Sequence, residues 1–305
     1  MNKLSKKVDF AIIMSVRNAN PNGDPLNGNR PRTDYEGLGE ITDVCLKRKI
    51  RDRLVERFMT LPESEKSGQA VFVQSDDRKC DDAKSLKSRA EAALGKELGG
   101  ANTAKKACET WLDVRAFGQL FAFKSDKKKK GAENEGDTGV SIGIRGPVTI
   151  HSAFSIDPVS VSSTQITKSV NAEDTKDGKR GSDTMGMKHR VDKSIYVTFG
   201  SMNPQLAEKT QFSDKDAAVI KAVLPRLFEN DASSARPEGS MSVLKVIWWQ
   251  HNCAAGQVSS AKVHGSVSVK NDGSFIFRSE SLTVEEDGTI RVGETELKPE
   301  IIDGF

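Results

Sequence analysis

Val8-Asp9-Phe10-Ala11-Ile12-Ile13-Met14-Ser15-Val16-Arg17 opens the part of the chain whose reading decides the fold. Val8, Phe10, Ile12, Met14 and Val16 recur at the two-residue period of a strand, giving one apolar face. The intervening Asp9, Ala11, Ile13, Ser15 and Arg17 give a mixed face that delivers Arg17 to the next segment. That segment, Arg17-Asn18-Ala19-Asn20-Pro21-Asn22-Gly23-Asp24-Pro25-Leu26-Asn27-Gly28-Asn29-Arg30-Pro31-Arg32-Thr33-Asp34, is dense in residues that favour turns and positive φ. It predicts a shaped loop with backbone amides free to bind a ligand. A helix follows. Thr42 is an N-cap residue, and Leu46, Ile50, Leu54 and Phe58 recur every four residues along one buried face.

Beside that stripe, Lys47 and Arg51 form a cationic stripe near the helix start, with Arg48 and Lys49 adjoining. Cations there oppose the helix dipole, so self-stability alone does not select them. An anion such as a phosphate resolves the conflict. A solvated surface helix would carry the same residues, but their coupling to the loop favours a ligand.

At 305 residues the chain can bury a sizeable core. No apolar run approaches the length that spans a bilayer, and residues 1–7 lead straight into the first strand pattern rather than a signal-peptide core. Cys45, Cys80, Cys108 and Cys253 are scattered without a CxxC pair, which fits a reduced cytoplasmic protein. His251 and Cys253 stand close but make weak grounds for a metal, so none is expected, nor any cofactor. A net charge of +3 excludes a generally basic nucleic-acid binder. Any polyanion site must come from local placement: Lys47 to Arg57, Lys124 to Lys130, or Lys176 to Arg190.

Taken in order, Ala70 to Val73 reads as a short strand, and Asp81 to Thr110 as helix interrupted at Gly95 and Gly99-Gly100. Trp111 to Phe123 is apolar with two embedded charges, Asp113 and Arg115, for which a structural ion pair or cap is the expected role. Lys124 to Asp137 reads as a charged surface loop. Ile142 to Phe154 marks the next strand, kinked near Arg145 by Gly143, Gly146 and Pro147. From about Val161 to Val191, two β-prone arms flank a Gly-rich tip, predicting a protruding hairpin. Its exposed Met185 and Met187 beside Lys188, His189 and Arg190 suit a wedge against bases. Tyr196, Thr198 and Gly200 begin a further strand piece that ends at Asn203-Pro204. Ser213 and Asp216 start a second amphipathic helix that Pro225 should kink, and Met241 to Trp249 is a central apolar strand. Trp248 and Trp249 are expected in the core. Asn271-Asp272-Gly273 and Asp287-Gly288 mark hairpins in the tail.

The order strand, helix, strand, strand, helix, strand is that of an α+β, ferredoxin-like or RNA-recognition-motif palm, without the aromatic signatures of an ordinary member. We expect one domain over 1–305. It carries a helical insertion and charged loop at about 74–140, the hairpin at about 160–191 and C-terminal antiparallel strands at about 256–305.

Several strings carry a resemblance. Asn20-Pro21-Asn22-Gly23-Asp24-Pro25, Asn29-Arg30-Pro31-Arg32-Thr33-Asp34, Ile41 to Arg51, Asp113-Val114-Arg115-Ala116-Phe117-Gly118 and Met185-Gly186-Met187-Lys188-His189 together resemble the CRISPR-associated backbone subunit of the type I-C Cascade surveillance complex. The resemblance implies a palm with a protruding thumb that polymerises head to tail along guide RNA (crRNA), so that exposed guide bases pair with target DNA in antiviral defence. It implies the guide-processing, large and small subunits as further partners. It assigns Arg30, Arg32, Lys47, Arg48 and Arg51 to the guide backbone, and Lys168, Met187, Lys188 and His189 to the thumb and its neighbourhood. Arg17, Asn20 and Asn22 in the loop and Arg145 at the kink complete the candidate RNA contacts. Phosphate contacts are independent of sequence, as binding to any spacer requires.

The resemblance implies no enzyme. The alternative is a metal-dependent ribonuclease like backbone subunits of type III complexes, with Asp24 or Asp34 holding a hard cation. No catalytic triad is recognisable, and Asn22-Gly23-Asp24 lacks the lysine and hydroxyl of a phosphate loop.

Overall fold

The structure, a computed structural model, describes residues 3–123, 140–168 and 184–305. The charged run from Lys124 to Asp137 and the tip of the predicted hairpin, 169–183, lie outside the described residues.

Strand β1 (Val8–Ala19) leads to a small hairpin of β2 (Gly23–Asp24) and β3 (Arg30–Pro31), then β4 (Leu38–Ile41) and helix α1 (Asp43–Thr60). Thr42 caps α1, its Oγ1 accepting from the Cys45 amide at 3.3 Å, and Leu46, Ile50 and Leu54 are buried as the spacing predicts. An insertion follows: α2 (Leu86–Leu94), α3 (Thr103–Thr110), α4 (Leu112–Phe117), then β5 (Gly118–Phe123) paired with β6 (Val140–Arg145). Phe72, Trp111 and Phe121 pack its separate core, with Ala90, Leu94 and Ala107 from the helices.

The chain returns to the main sheet through β7 (Val148–Ile150), β8 (Ala153–Pro158), β9 (Val161–Lys168) and β10 (Thr184–Met202). Then come α5 (Pro204–Thr210), α6 (Asp214–Val223) and β11 (Met241–Gln250). The predicted capping box starts α6, and a 3-10 turn at Leu224–Arg226 replaces α-helix at Pro225, which lacks the amide to continue it. The tail forms α7 (Ser260–His264), β12 (Val267–Val269), β13 (Phe275–Phe277), β14 (Thr283–Val284), β15 (Ile290–Val292), β16 (Thr295–Leu297) and β17 (Pro299–Asp303).

The fold is α+β around a large antiparallel sheet in the order β17-β11-β1-β10-β8-β4, with β7 and β9 also paired to β10. Both sheet faces are covered. Phe10, Ile12, Met14, Tyr196 and Val246 pack under α1 and α6. Ala11, Ile13, Ile195, Val197, Ile247 and Trp249 pack under Val258, Val263, Ile290 and Leu297 of the tail. Each large side chain so buried contributes about 1.5–3 kcal/mol, which is what holds the tail to the sheet.

Three expectations are corrected. Ala70 to Val73 is no strand: it has one bridge, Ala70 to Trp111, because the Phe72 and Val73 amides donate to the Asp113 carboxylate at 2.7 and 3.1 Å instead of to a neighbouring strand. The strand expected from Ile142 to Phe154 is three strands, β6 to β8, broken at Gly146-Pro147 and at His151-Ser152. The hairpin arm and the piece at Tyr196 are one strand, β10, so the hairpin grows directly from the middle of the sheet.

The mixed face of β1 holds a buried polar cluster. His251 Nε2 lies 2.8 Å from Asp9 Oδ2, and its Nδ1 accepts from the Gln257 amide at 2.9 Å, which fixes the Nε2–H tautomer. His264 Nε2 and Lys7 Nζ approach the same carboxylate at 3.5 and 3.4 Å. No described helix is long and apolar enough to cross a membrane.

Candidate nucleic-acid interface

The loop after β1 is shaped by its own amides and carboxylates. Asn18, Gly28 and Asn29 take positive φ, as their types allow. Asn20 is buried and donates to the Asn29 carbonyl at 2.7 Å, and Asn22 Oδ1 accepts from the Thr42 amide and hydroxyl at 3.0 and 2.9 Å. Asn20 and Asn22 therefore set the loop's shape and tie it to the start of α1. Asp24 accepts from the Leu26 amide and pairs with Arg32 at 3.3 Å, and Asp34 Oδ1 accepts from the Glu36 and Leu38 amides at 3.0 and 2.9 Å. Both carboxylates of the ribonuclease alternative are thus engaged as turn formers. Among the described residues, no three His, Cys, Asp or Glu are grouped to hold a metal.

Lys47, Arg48, Lys49 and Arg51 of α1 have acids of their own. Lys47 pairs with Asp43 at 2.9 Å, and Arg48 donates to Ser75 at 2.9 Å beside Asp52 and Asp77. Lys49 is buried against Asp231, and Arg51 is held by Asp113 at 2.9 Å with Phe117 beneath its guanidinium. The dipole conflict read from the sequence is relieved largely from within the protein. Asp43 and Asp52 stand at helical spacing from Lys47 and Arg48, a signal present in the sequence. Asp113 and Asp231 come from distant segments.

Arg30 behaves differently. It is exposed, and its Nη2 donates to Ser163 Oγ on β9 at 3.0 Å, while that hydroxyl lies 2.8 Å from His189 Nδ1 on β10. Loop and hairpin base thus meet at one point. Ser163 was not among the residues singled out in the sequence, where it is one of several hydroxyls on a β-prone arm.

The register of β9 against β10 sorts the hairpin side chains. Met185, Met187 and His189 stand opposite Thr167, Gln165 and Ser163 on one face, and Lys188 stands opposite Thr164 on the other. Met185 and Met187 are 67% and 54% exposed. Lys168, at the end of β9, stands opposite Thr184. Arg17 is exposed at the end of β1, its amide bonded to the Ser240 carbonyl. Arg145, exposed at the end of β6, lines a hollow of about 530 Å³ together with Lys47, Gly118 and Thr149. The structure therefore gathers Arg30 with His189 and Lys47 with Arg145, and separates Lys188 from Met187.

A sheet with helices on one face can offer the other to stacked bases. Here that face is closed by the tail.

The sequence matches the family model described as CRISPR-associated protein Cas7 over residues 6–291. A CRISPR-associated protein Cas7 of Haloferax volcanii is 26% identical over 238 residues, covering 74% of this chain. The chain spans 65% of the length of that curated relative. A chain of a solved "CRISPR RNA-guided surveillance complex, pre-nicking" is similar at a TM-score of 0.44 and 16% identity, over 80% of this chain and 75% of the other. A chain of a second "CRISPR RNA-guided surveillance complex" is similar at 0.40 and 16%, over 80% and 68%. With its family match extending from residue 6 to residue 291, the chain belongs to the family of CRISPR-associated protein Cas7.

Proposed function

We propose that this Cas7-family chain is the guide-RNA-binding backbone subunit of a type I-C CRISPR surveillance complex in the cytoplasm. Copies polymerise head to tail along the spacer and present the guide for pairing with target DNA, alongside guide-processing, large and small subunits. The protein holds RNA geometry and performs no chemistry. Its core is a ferredoxin-like palm, a reading supported by the order β11-β1-β10-β8 with α1 and α6 as the connecting helices. The hairpin of β9 and β10 is the thumb.

The observation that carries this reading is the contact chain from Arg30 through Ser163 to His189. It joins the basic loop to the base of a hairpin that exposes Met185 and Met187. A backbone-gripping loop fixed to an apolar wedge is what sequence-independent holding of a single strand requires.

The test mixes the protein with guide RNAs of two spacer lengths and unrelated sequences and measures assembly mass. Mass that steps up with length, whatever the sequence, and falls in Arg30→Ala/Lys188→Ala supports the reading. A fixed small complex, or assembly indifferent to both substitutions, sinks it. Arg51 is unsuited to this test because its loss would leave Asp113 unpaired.

A further inference from the structure

Lys47, Arg48, Lys49 and Arg51 are matched by acids, yet three cations that stand together elsewhere are not. Lys105 on α3, Arg145 on β6 and Lys209 on α5 are exposed, and among the described residues none has an acidic partner. They line a single hollow of about 710 Å³, in which Glu109 is paired away to Lys106. This hollow shares Gly143, Ile144 and Arg145 with the hollow that holds Lys47, so the two form one trough running across β6. Three like charges beside a single carboxylate that already serves Lys106 repel one another, so the gathering favours an anion.

A second observation concerns the trough floor. Gly118 and Gly146 beside it are there for packing, since a Cβ on either would run into backbone. Gly143 is not. Its φ lies outside the left-handed region, and a Cβ built on it meets no heavy atom within 4 Å. Glycine weakens a strand and is expected there where another backbone or a ligand comes close. Gly143 sits where the two hollows join, on the same outward face as Arg145.

We infer that this trough binds the phosphodiester backbone of a single nucleic-acid strand, with Lys105, Arg145 and Lys209 on the phosphates and Gly143 leaving room for the strand. The site lies on the insertion and α5, apart from the contact between Arg30 and His189. It shares Arg145 and the neighbouring Lys47 with the candidate guide contacts and goes beyond them in Lys105, Lys209 and Gly143. The shared chemistry is a run of phosphodiesters, whose source is either the guide RNA or a DNA strand.

Fluorescence anisotropy with labelled oligouridylate and oligothymidylate separates the sources. Lys105→Glu/Lys209→Glu is expected to weaken binding by about tenfold or more and to flatten the log–log salt dependence by about 1.4, as loss of two phosphate contacts requires. Gly143→Val is expected to weaken binding comparably while leaving the melting temperature unchanged or higher, because valine suits a strand. Gly143→Ala should show a smaller loss in the same direction. Loss confined to oligouridylate assigns the trough to the guide, loss confined to oligothymidylate assigns it to DNA, and loss of both supports a general strand site. Unchanged binding of both oligonucleotides by the charge-reversal variant, or full binding by Gly143→Val, overturns the inference. Arg30→Ala/Lys188→Ala run in parallel keeps the readings distinct: failure of the guide-RNA reading leaves those variants unaffected, whereas failure here leaves the trough variants unaffected.

Discussion

Arg51 Nε donates to Asp113 Oδ2 at 2.9 Å, joining the outer face of α1 to the insertion. Asp113 is fully buried and also accepts the Phe72 and Val73 amides, so one carboxylate holds three segments together. Removing one partner of a buried pair leaves an uncompensated charge. Arg51→Ala should therefore destabilise the protein by about 3 kcal/mol in chemical denaturation. Lys47→Ala, which breaks only a partly exposed pair one helical turn long, should cost about 0.5 kcal/mol or less. Equal costs would contradict the division of roles between these two cations.

The cluster around Asp9 predicts a pH dependence. Burial pushes the Asp9 carboxyl up, but the hydrogen bond from His251, the nearby His264 ring and the Lys7 ammonium outweigh it and hold the group well below the usual carboxylate range. Stability from Asp9 is thus present above the ordinary value of 3.8 and lost as pH falls below it. Partial desolvation, with the neighbouring His264, lowers the largely exposed His151 beneath its ordinary 6.5, so the unfolded chain takes up that proton first. The melting temperature should be flat between about pH 7 and 8, fall slightly below about 6.5 and fall further below about 4. His151→Gln should remove the first decline and keep the second. A profile in which both persist would contradict the assignment.

Ser163 accepts from Arg30, because a guanidinium donates and never accepts, which leaves its own proton free to point at His189 Nδ1. With the proton so placed, neutral His189 should be the Nε2–H tautomer, as nitrogen NMR can determine. In Ser163→Ala that preference should weaken and amide exchange across residues 184–190 should quicken. Stability should change by less than about 1 kcal/mol, since these bonds are exposed. An unchanged tautomer would mean that the hydroxyl does not link loop and hairpin.

Gly118 and Gly143 lie on paired neighbouring strands, opposite Arg145 and Leu120, with opposite requirements. Gly118 has φ 81° and a Cβ there would strike the Ile144 carbonyl and the Gly146 amide, whereas Gly143 faces open space. Gly118→Ala should cost more than about 2 kcal/mol, combining backbone strain with a clash. Gly143→Ala should cost nothing measurable. Comparable costs would contradict the packing described at this hairpin.

Features set by local chemistry were readable in the sequence, and those set by distant partners were not. The Thr42 cap, the buried face of α1, the Ser213 and Asp216 box and the tail hairpins depend on residues a few positions apart. The turns at Asp24 and Asp34 are local in the same way, each carboxylate accepting from amides two to four residues on. Ala70 to Val73 has strand-like composition, but composition does not say whether amides will meet another strand or a carboxylate. Asp113 supplied the carboxylate. The candidate site followed the same division: Lys47 and Arg30 are exposed enough to serve, while Arg51 was claimed by an acid distant in sequence. Lys105 and Lys209 carry no motif, and only the meeting of α3, β6 and α5 brings them beside Arg145.

The tail's cover over the sheet gives the most direct optical test of where a nucleic acid runs. The three tryptophans, Trp111, Trp248 and Trp249, are all buried, Trp249 completely, under the layer built by Val258, Val263, Ile290 and Leu297. If bases stacked on the sheet face opposite the helices, the tail would have to lift away and Trp249 would enter the stack. If the strand runs along the loop, the hairpin and the trough, none of the three indoles changes its surroundings. Tryptophan emission should therefore be blue-shifted and poorly quenched by acrylamide, and saturating oligouridylate should change its intensity by less than about a tenth, since base stacking is a contact effect. Strong quenching on binding, abolished in Trp249→Phe, would place the nucleic acid on the sheet face and make the tail a cover that opens.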